Sequence, residues 1–104
     1  MAEEEWRDID GFDDYQVSNM GKVQNVTTGV YLKNSGRGQQ PRRVTLHIGL
    51  LEKYTKMVAR LVAEAFLEDY SEEYEVHYKS SSREDCSVNN IFMSKHKVRG
   101  GSRR

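Results

Sequence analysis

Few residues in this 104-residue sequence have types and spacings that could support catalysis. Cys86 is the single cysteine, so the sequence indicates no disulfide and no cysteine-based metal site, and no recognisable motif places a base beside it. The tripeptide Gly36-Arg37-Gly38 is too short for a nucleotide-binding loop, and no CxxC or Ser-His-Asp arrangement is visible. His77 and Tyr78 close a strand-like segment without forming such an arrangement, and a set of basic residues occupies the first 60 positions.

His77 and Tyr78 end a stretch, residues 57–79, that predicts a helix, an acidic connector and a strand. The helix is indicated by apolar residues at i, i+3, i+4, i+7 and i+8. These residues are Val58, Leu61, Val62, Ala65 and Phe66. After the connector, apolar and polar side chains alternate over residues 74–78, which is typical of a strand.

Motifs in two regions follow a recognisable order. Residues 58–79 contain V-A-R-L-V-A, then F, then the connector and V-H-Y-K; residues 5–12 read E-W-R-D-I-D-G-F, residues 15–21 Y-Q-V-S-N-M-G and residues 32–33 L-K. This order resembles the HNH homing endonucleases encoded in bacteriophage introns, which carry an N-terminal nuclease-associated modular DNA-binding motif. In that family the helix reads V-H-R-L-V-A and the connector ends in V-D-H-K-D-G. The resemblance covers roughly residues 5–99.

The resemblance implies DNA cleavage with one divalent metal. In the family an Asp at a strand end and a distal Asn hold the metal, and a His activates water. Carboxylate and amide oxygens suit a hard cation, and an imidazole can accept a proton near neutral pH. Here the Asp position is His77, the base position is Tyr78, the distal Asn position is Arg99, and the His of V-H-R-L-V is Ala59.

Each replacement argues against the family chemistry. Tyrosine has an unperturbed pKa of about 10 and is a poor base at pH 7. Arg99 would place a fixed positive charge where a cation should bind, and His77 suits softer metals than Mg²⁺. We therefore predict no catalytic residue and no cofactor, with Mg²⁺ or Mn²⁺ needed only if residual nuclease activity exists. The favoured interpretation of His77 and Tyr78 is a structural strand end with one inward ring and one exposed imidazole.

Composition limits the class of protein. The chain is 37% hydrophobic and 31% charged, which is compatible with one modest core. No apolar run approaches the roughly 20 residues of a membrane span, and the acidic N-terminus lacks an apolar signal region. The sequence thus predicts a cytoplasmic protein without membrane contact, in the host cell if it is phage-encoded.

Charge is arranged in blocks although the net charge is zero. The blocks carry −6 over residues 1–20, +7 over 21–60, −6 over 61–85 and +5 over 86–104. Such blocks can pair with each other or define separate faces. Zero net charge weakens a DNA-binding interpretation without removing it, because the field depends on distribution.

The N-terminal half predicts an antiparallel meander with short connections, including a turn at 11–14 and a strand at 30–33. Residues 51–53 are predicted to turn the chain into a further strand at 54–57. In the C-terminal part, residues 90–93 are expected to pair with 74–78, and the resemblance implies that residues 94–99 enter a helix.

The clearest strand of the N-terminal sheet is 43–50, in which Val44, Leu46, Ile48 and Leu50 are expected to pack on the helix while the alternate residues face outward. In the resembled family this sheet lies against the duplex, so the candidate DNA contacts are Lys33, Arg37, Arg42, Arg43, His47, Lys56 and Arg60. The alternative is a solvated outer face, with residues 34–42 as a solvated loop.

The acidic connector carries two tyrosines among its carboxylates. An acidic and aromatic patch of this kind could bind a basic protein surface, with tyrosines as anchors. The candidates are Tyr70, Glu72, Glu73 and Tyr74. The alternative is a solvated connector.

Together these patterns predict one compact α+β domain. It comprises an N-terminal antiparallel module (1–57), a degenerate HNH-like region with one central helix (58–99) and a disordered basic tail (100–104). The leading functional hypothesis is a non-catalytic, phage-type modulator that binds a host macromolecule, most plausibly a host protein. The alternatives are a non-cleaving binder of double-stranded DNA and a residual metal-dependent nicking enzyme. The sequence does not predict the oligomeric state.

Overall fold

The computed structural model describes residues 3–36, 40–80 and 85–94. These residues form an α+β fold of three antiparallel sheets around one helix. The elements are β1 (Trp6–Ile9), β2 (Phe12–Ser18), β3 (Val23–Asn25), β4 (Val30–Tyr31), β5 (Arg43–Ile48), β6 (Glu52–Met57), α1 (Val58–Phe66), β7 (Glu75–Tyr78) and β8 (Ile91–Ser94). No helix in the described ranges has the length and apolar character needed to span a membrane.

The first sheet has the strand order β1-β2-β3-β4. Its inner face contributes Ile9, Tyr15, Val17 and Val23 to the core. The predicted meander is therefore present, but β4 stops at Tyr31 instead of Lys33. Conversely, β2 begins at Phe12, inside the predicted turn, because Gly11 alone provides the positive φ of 86° at that turn.

Strands β5 and β6 form a hairpin that enters the core at one end only. Val44 and Leu46 are buried with the helix, as the alternation predicts. Ile48 is 42% exposed and Leu50 is fully exposed, so the prediction that they pack on the helix is wrong. The reason is Gly49, whose φ of 64° turns the chain and ends β5 at Ile48. Leu50 is therefore in the hairpin turn.

Helix α1 buries the face that its periodicity predicts. Val58, Leu61 and Val62 lie in the core, while Glu64 is exposed. At the C-terminal end, the Arg7 guanidinium donates a hydrogen bond to the Ala65 carbonyl and stacks over the Phe66 ring, 4.5 Å from its centre. A cation at this end is favourable because the last carbonyls of a helix have no partners within it.

A buried turn at residues 18–21 connects distant parts of the chain. The Ser18 hydroxyl accepts hydrogen bonds from the backbone N–H groups of Met20 and Lys22, each at 3.1 Å. The Asn19 side chain accepts from the Glu5 N–H at 2.9 Å and donates to the Glu3 carbonyl at 3.1 Å.

The same turn contacts the C-terminal region. The Asn19 carbonyl accepts from the Val88 N–H at 2.8 Å. Gly21 has a φ of 87°, and a side chain there would begin 3.1 Å from the carbonyl carbon of Cys86. The motif Y-Q-V-S-N-x-G is therefore explained structurally, as a tight turn against which residues 86–88 pack.

Strands β7 and β8 pair from Glu75 with Ser94 to Tyr78 with Ile91, as predicted. Asn90 ends a 3-10 turn and closes the segment between the strands. Its side chain accepts from the Ser80 N–H at 3.1 Å and donates to the Asp85 carbonyl at 2.8 Å. The predicted helix entry at 94–99 and the basic tail at 100–104 lie outside the described residues, except for Ser94, which is in β8.

Candidate nucleic-acid interface

One face of the β5–β6 hairpin is polar, basic and exposed. The register pairs Arg43 with Met57, Thr45 with Thr55 and His47 with Lys53, which places these six residues on the face opposite Val44 and Leu46. Five are exposed and Met57 is half-buried. Met57, at the junction with α1, also lines a cleft on the other side of β6. We call this surface the ribbon face; its residues are Arg43, Thr45, His47, Lys53, Thr55 and Met57. It contains no acid.

The ribbon is held to the first sheet along β5. The Tyr15 hydroxyl, in the core, accepts a hydrogen bond from the backbone N–H of His47 at 3.1 Å. Ser35 and Arg43 exchange backbone hydrogen bonds at 2.8 and 3.1 Å. The ribbon face thus has a fixed position although its side chains contribute little to the core.

Only two of the seven candidate DNA contacts, Arg43 and His47, lie on the ribbon face. Lys33 is exposed just beyond β4, and Arg37 lies outside the described residues. Arg42 is half-buried next to Cys86, close enough to affect its pKa.

Lys56 and Arg60 face a different side of the molecule. Lys56 pairs with Val44, and its ammonium lies 5.7 Å from the centre of the Phe12 ring. Arg60 donates hydrogen bonds to the Tyr70 hydroxyl and the Tyr74 carbonyl, both at 3.1 Å. Arg60 therefore holds the acidic connector against the helix.

The sequence analysis missed Lys53, Thr45 and Thr55. Lys53 was assigned to a turn, whereas β6 begins at Glu52. Gly49 was the sequence signal that could have placed Lys53 on this face. With residues 49–51 as a three-residue turn after Ile48, Lys53 lies opposite His47.

A cleft of about 440 Å³ lies on the other side of β6 and combines both signs of charge. Partial burial raises the pKa of Glu64 there, the carboxylates of Asp10 and Glu72 raise it further, and Lys56 and Arg60 oppose the shift. Of the predicted protein-binding residues, Tyr70 and Glu72 line this cleft, whereas Glu73 is exposed and Tyr74 is half-buried. The lining residues are Ile9, Asp10, Phe12, Lys56, Met57, Arg60, Leu61, Glu64, Tyr70 and Glu72.

The positions that the resemblance aligns with catalytic residues lie in structural surroundings. The His77 ring stacks on Phe92 across the hairpin, with centres 5.5 Å apart, and its Nε2 lies 3.3 Å from the Glu75 carboxylate. The side chain of His77 is 43% exposed, whereas Tyr78 packs against the core. Ala59 is fully buried in α1. Arg99 lies outside the described residues.

The residues at the end of β7 do not fit a Mg²⁺ site. Mg²⁺ requires near-octahedral coordination, mainly by oxygen. Among the described residues, the pair that meets here is one imidazole and one carboxylate, His77 and Glu75. Across residues 3–36, 40–80 and 85–94, no group of three or more His, Cys, Asp or Glu side chains is placed to hold a metal ion.

Cys86 is buried and its thiol is unreactive. Burial raises the pKa of its thiol to about 11, with a further contribution from the Asp85 carboxylate and partial opposition from Arg42. The thiol is therefore almost fully protonated at neutral pH, and only the thiolate is a good nucleophile.

Comparisons with known proteins agree with this architecture. A NUMOD4 motif matches residues 4–47. The DNA endonuclease I-HmuI of Bacillus phage SP01 is 35% identical over 88 residues, which are 84% of this chain and 50% of that protein. A solved structure described as "DNA binding and cleavage by the HNH homing endonuclease I-HmuI" superposes with a TM-score of 0.79 and 34% identity, over 86% of this chain and 52% of that chain.

The chain belongs to the HNH homing endonuclease family. It spans about half the length of the relatives it matches. The predicted family and α+β fold are confirmed. Between the functions suggested by the sequence, the comparisons favour DNA binding and give no support to a host-protein modulator.

Proposed function

We propose that the protein binds double-stranded DNA through the ribbon face and does not cleave it. The carrying observation is the ribbon face itself: Arg43, His47 and Lys53 are exposed on one acid-free surface of a two-stranded ribbon. A ribbon of this width fits the major groove of B-DNA, where threonine hydroxyls can also bond base edges. The matched NUMOD4 motif ends at residue 47, so it includes most of β5.

The residues of β7 support the second part of the proposal, that the protein does not cleave DNA. Tyr78 packs against the core at the position of the family base, and His77 stacks on Phe92 at the position of a metal-binding Asp. Position 77 therefore lacks the oxygen ligand, and position 78 lacks the basic imidazole, that the family chemistry uses. Electrostatic binding to phosphates does not need those groups.

The salt dependence of binding to a 30-base-pair duplex tests the proposal. Each phosphate contact contributes a slope of about −0.9 to log K against log salt, so the double variant R43Q/K53Q should lower the magnitude of the slope by about 2. The control is K22Q, because Lys22 is exposed outside the ribbon and lies over the Tyr31 ring. An equal change in K22Q, or no binding of wild type at low salt, would contradict the proposal.

Incubating the protein with a supercoiled plasmid and Mg²⁺ or Mn²⁺ tests whether it cleaves DNA. We expect a mobility shift without nicked product. Metal-dependent nicking that disappears in H77A would return the protein to the cleaving members of its family.

A further inference from the structure

The tip of the β5–β6 ribbon exposes two adjacent leucines. Leu50 is 100% and Leu51 is 96% exposed. Their apolar side chains are not needed for the turn, because Gly49 provides its positive φ and the core lies at the other end of the hairpin. Turns of this kind usually carry small polar residues, so the leucines point to a ligand of the tip.

The surroundings of the tip favour a polyanion that presents an apolar group. The last pair on the ribbon face is His47 with Lys53, directly before the turn. Glu52 pairs with Ile48, so the register puts this acid on the opposite face. Glu52 still borders the shallow depression that His47, Leu50, Leu51 and Lys53 line. The approach along the ribbon face is therefore cationic or neutral, with one acid at the tip itself.

A second copy of the chain does not fit the tip as well. A stable protein interface buries roughly 800 Å² on each partner. The apolar side chains at the tip are two leucines and the partly exposed Ile48 and Tyr54, so an interface of that size would have to extend beyond the tip.

We propose that Leu50 and Leu51 contact the C5-methyl groups of thymine in the major groove. This inference rests on the proposed DNA binding and adds a sequence preference to it. Leucine gains nothing from phosphate, and the thymine methyl is the apolar group that base pairs display in the major groove. A ribbon whose basic face lies in the groove carries its tip to the base edges, so duplexes rich in thymine should bind more tightly.

The experiment compares an alternating A·T duplex with the same duplex containing uracil, which lacks the methyl group. Burying one methyl is worth about fourfold in affinity, so we expect wild type to prefer the thymine duplex by about fourfold to fifteenfold. The variant L50S/L51S should bind both duplexes equally and keep the wild-type salt slope. V30S is the control, because Val30 is exposed outside the ribbon, and it should keep the preference.

Each outcome has a separate meaning. Equal binding of both duplexes by wild type would overturn the methyl contact and leave DNA binding intact. A preference retained by L50S/L51S would assign it to the shape of the duplex and also overturn the inference. No binding to either duplex at low salt would reject the proposed function itself. A wild-type dimer in sedimentation that L50S/L51S dissociates would replace the DNA with a second copy as occupant of the tip.

Discussion

The two hairpins that flank α1 use the same architecture for opposite purposes. β5–β6 precedes the helix and turns a basic, hydrogen-bonding face to solvent. β7–β8 follows the acidic connector and turns Val76, Tyr78 and Met93 toward the core. In the first hairpin the functional candidates are outside the packing of the core, whereas in the second Tyr78 is part of it and His77 stacks on Phe92 at the surface.

Under the proposed function, the difference is one way in which a family scaffold can keep a binding face without a catalytic site. Positions on the ribbon face are free to follow a ligand, because their side chains hold little of the fold together. At the end of β7, the Tyr78 ring contributes to the packing of the core. The comparison therefore predicts separate consequences for stability and binding.

The largest expected effect is on stability, from truncation of the buried hairpin. Ile91 in β8 is 2% exposed, and I91A should lower the free energy of unfolding by about 2–5 kcal/mol through lost burial and a cavity. T45A on the ribbon face should cost less than about 1 kcal/mol. Urea titrations measure both, and equal costs would show that the ribbon is as much a part of the core as β8.

The next effect tests how the C-terminal hairpin is anchored. G21A adds a methyl group 3.1 Å from Cys86 at a positive φ, and should destabilise by about 2–4 kcal/mol. G29A is the matched control, since Gly29 also has a positive φ but open space around it. We expect about 1–2 kcal/mol there. Similar losses in the two thermal melts would mean that the packing at Cys86 adds nothing.

Thiol labelling should separate the two sides of the molecule. At a pH below its ordinary pKa, the shift from 9.0 to about 11 lowers the thiolate fraction of Cys86 about a hundredfold. In the variant T55C, a disulfide reagent at pH 8 should therefore consume one thiol rapidly, on the exposed ribbon face, and one slowly. Two fast reactions under native conditions would contradict the burial of Cys86.

The smallest effect concerns pH and the cleft beside β6 and α1. The pKa of Glu64 is raised in the folded state, so the folded protein binds more protons than the unfolded chain just above the ordinary pKa of Glu. Stability contributed by this group therefore falls as pH rises through that window and is recovered as pH falls. The variant E64Q should remove this component, so the difference between the stability curves of wild type and variant should grow from pH 4 to pH 7. A difference independent of pH would contradict the shift.

The spacing of apolar residues predicted the helix and both hairpins, because this spacing can be read from the sequence without any knowledge of tertiary contacts. The alternation of Val44, Leu46, Ile48 and Leu50 predicted a strand that is too long, because an alternating pattern does not show that the chain reverses at Gly49. The site was harder to predict. Arg60 was predicted as a DNA contact, and only the folded connector shows that the Tyr70 hydroxyl and the Tyr74 carbonyl accept its hydrogen bonds.

The position of Asn19 has a consequence for how the chain unfolds. One side chain bonds residues 3 and 5, while its backbone bonds Val88. Opening either end therefore releases the other, and the chain should melt as one cooperative unit in spite of its three separate sheets. Trp6, the single tryptophan, stands in the strand that begins just after these bonds and would report that transition by fluorescence at the same temperature as far-ultraviolet circular dichroism.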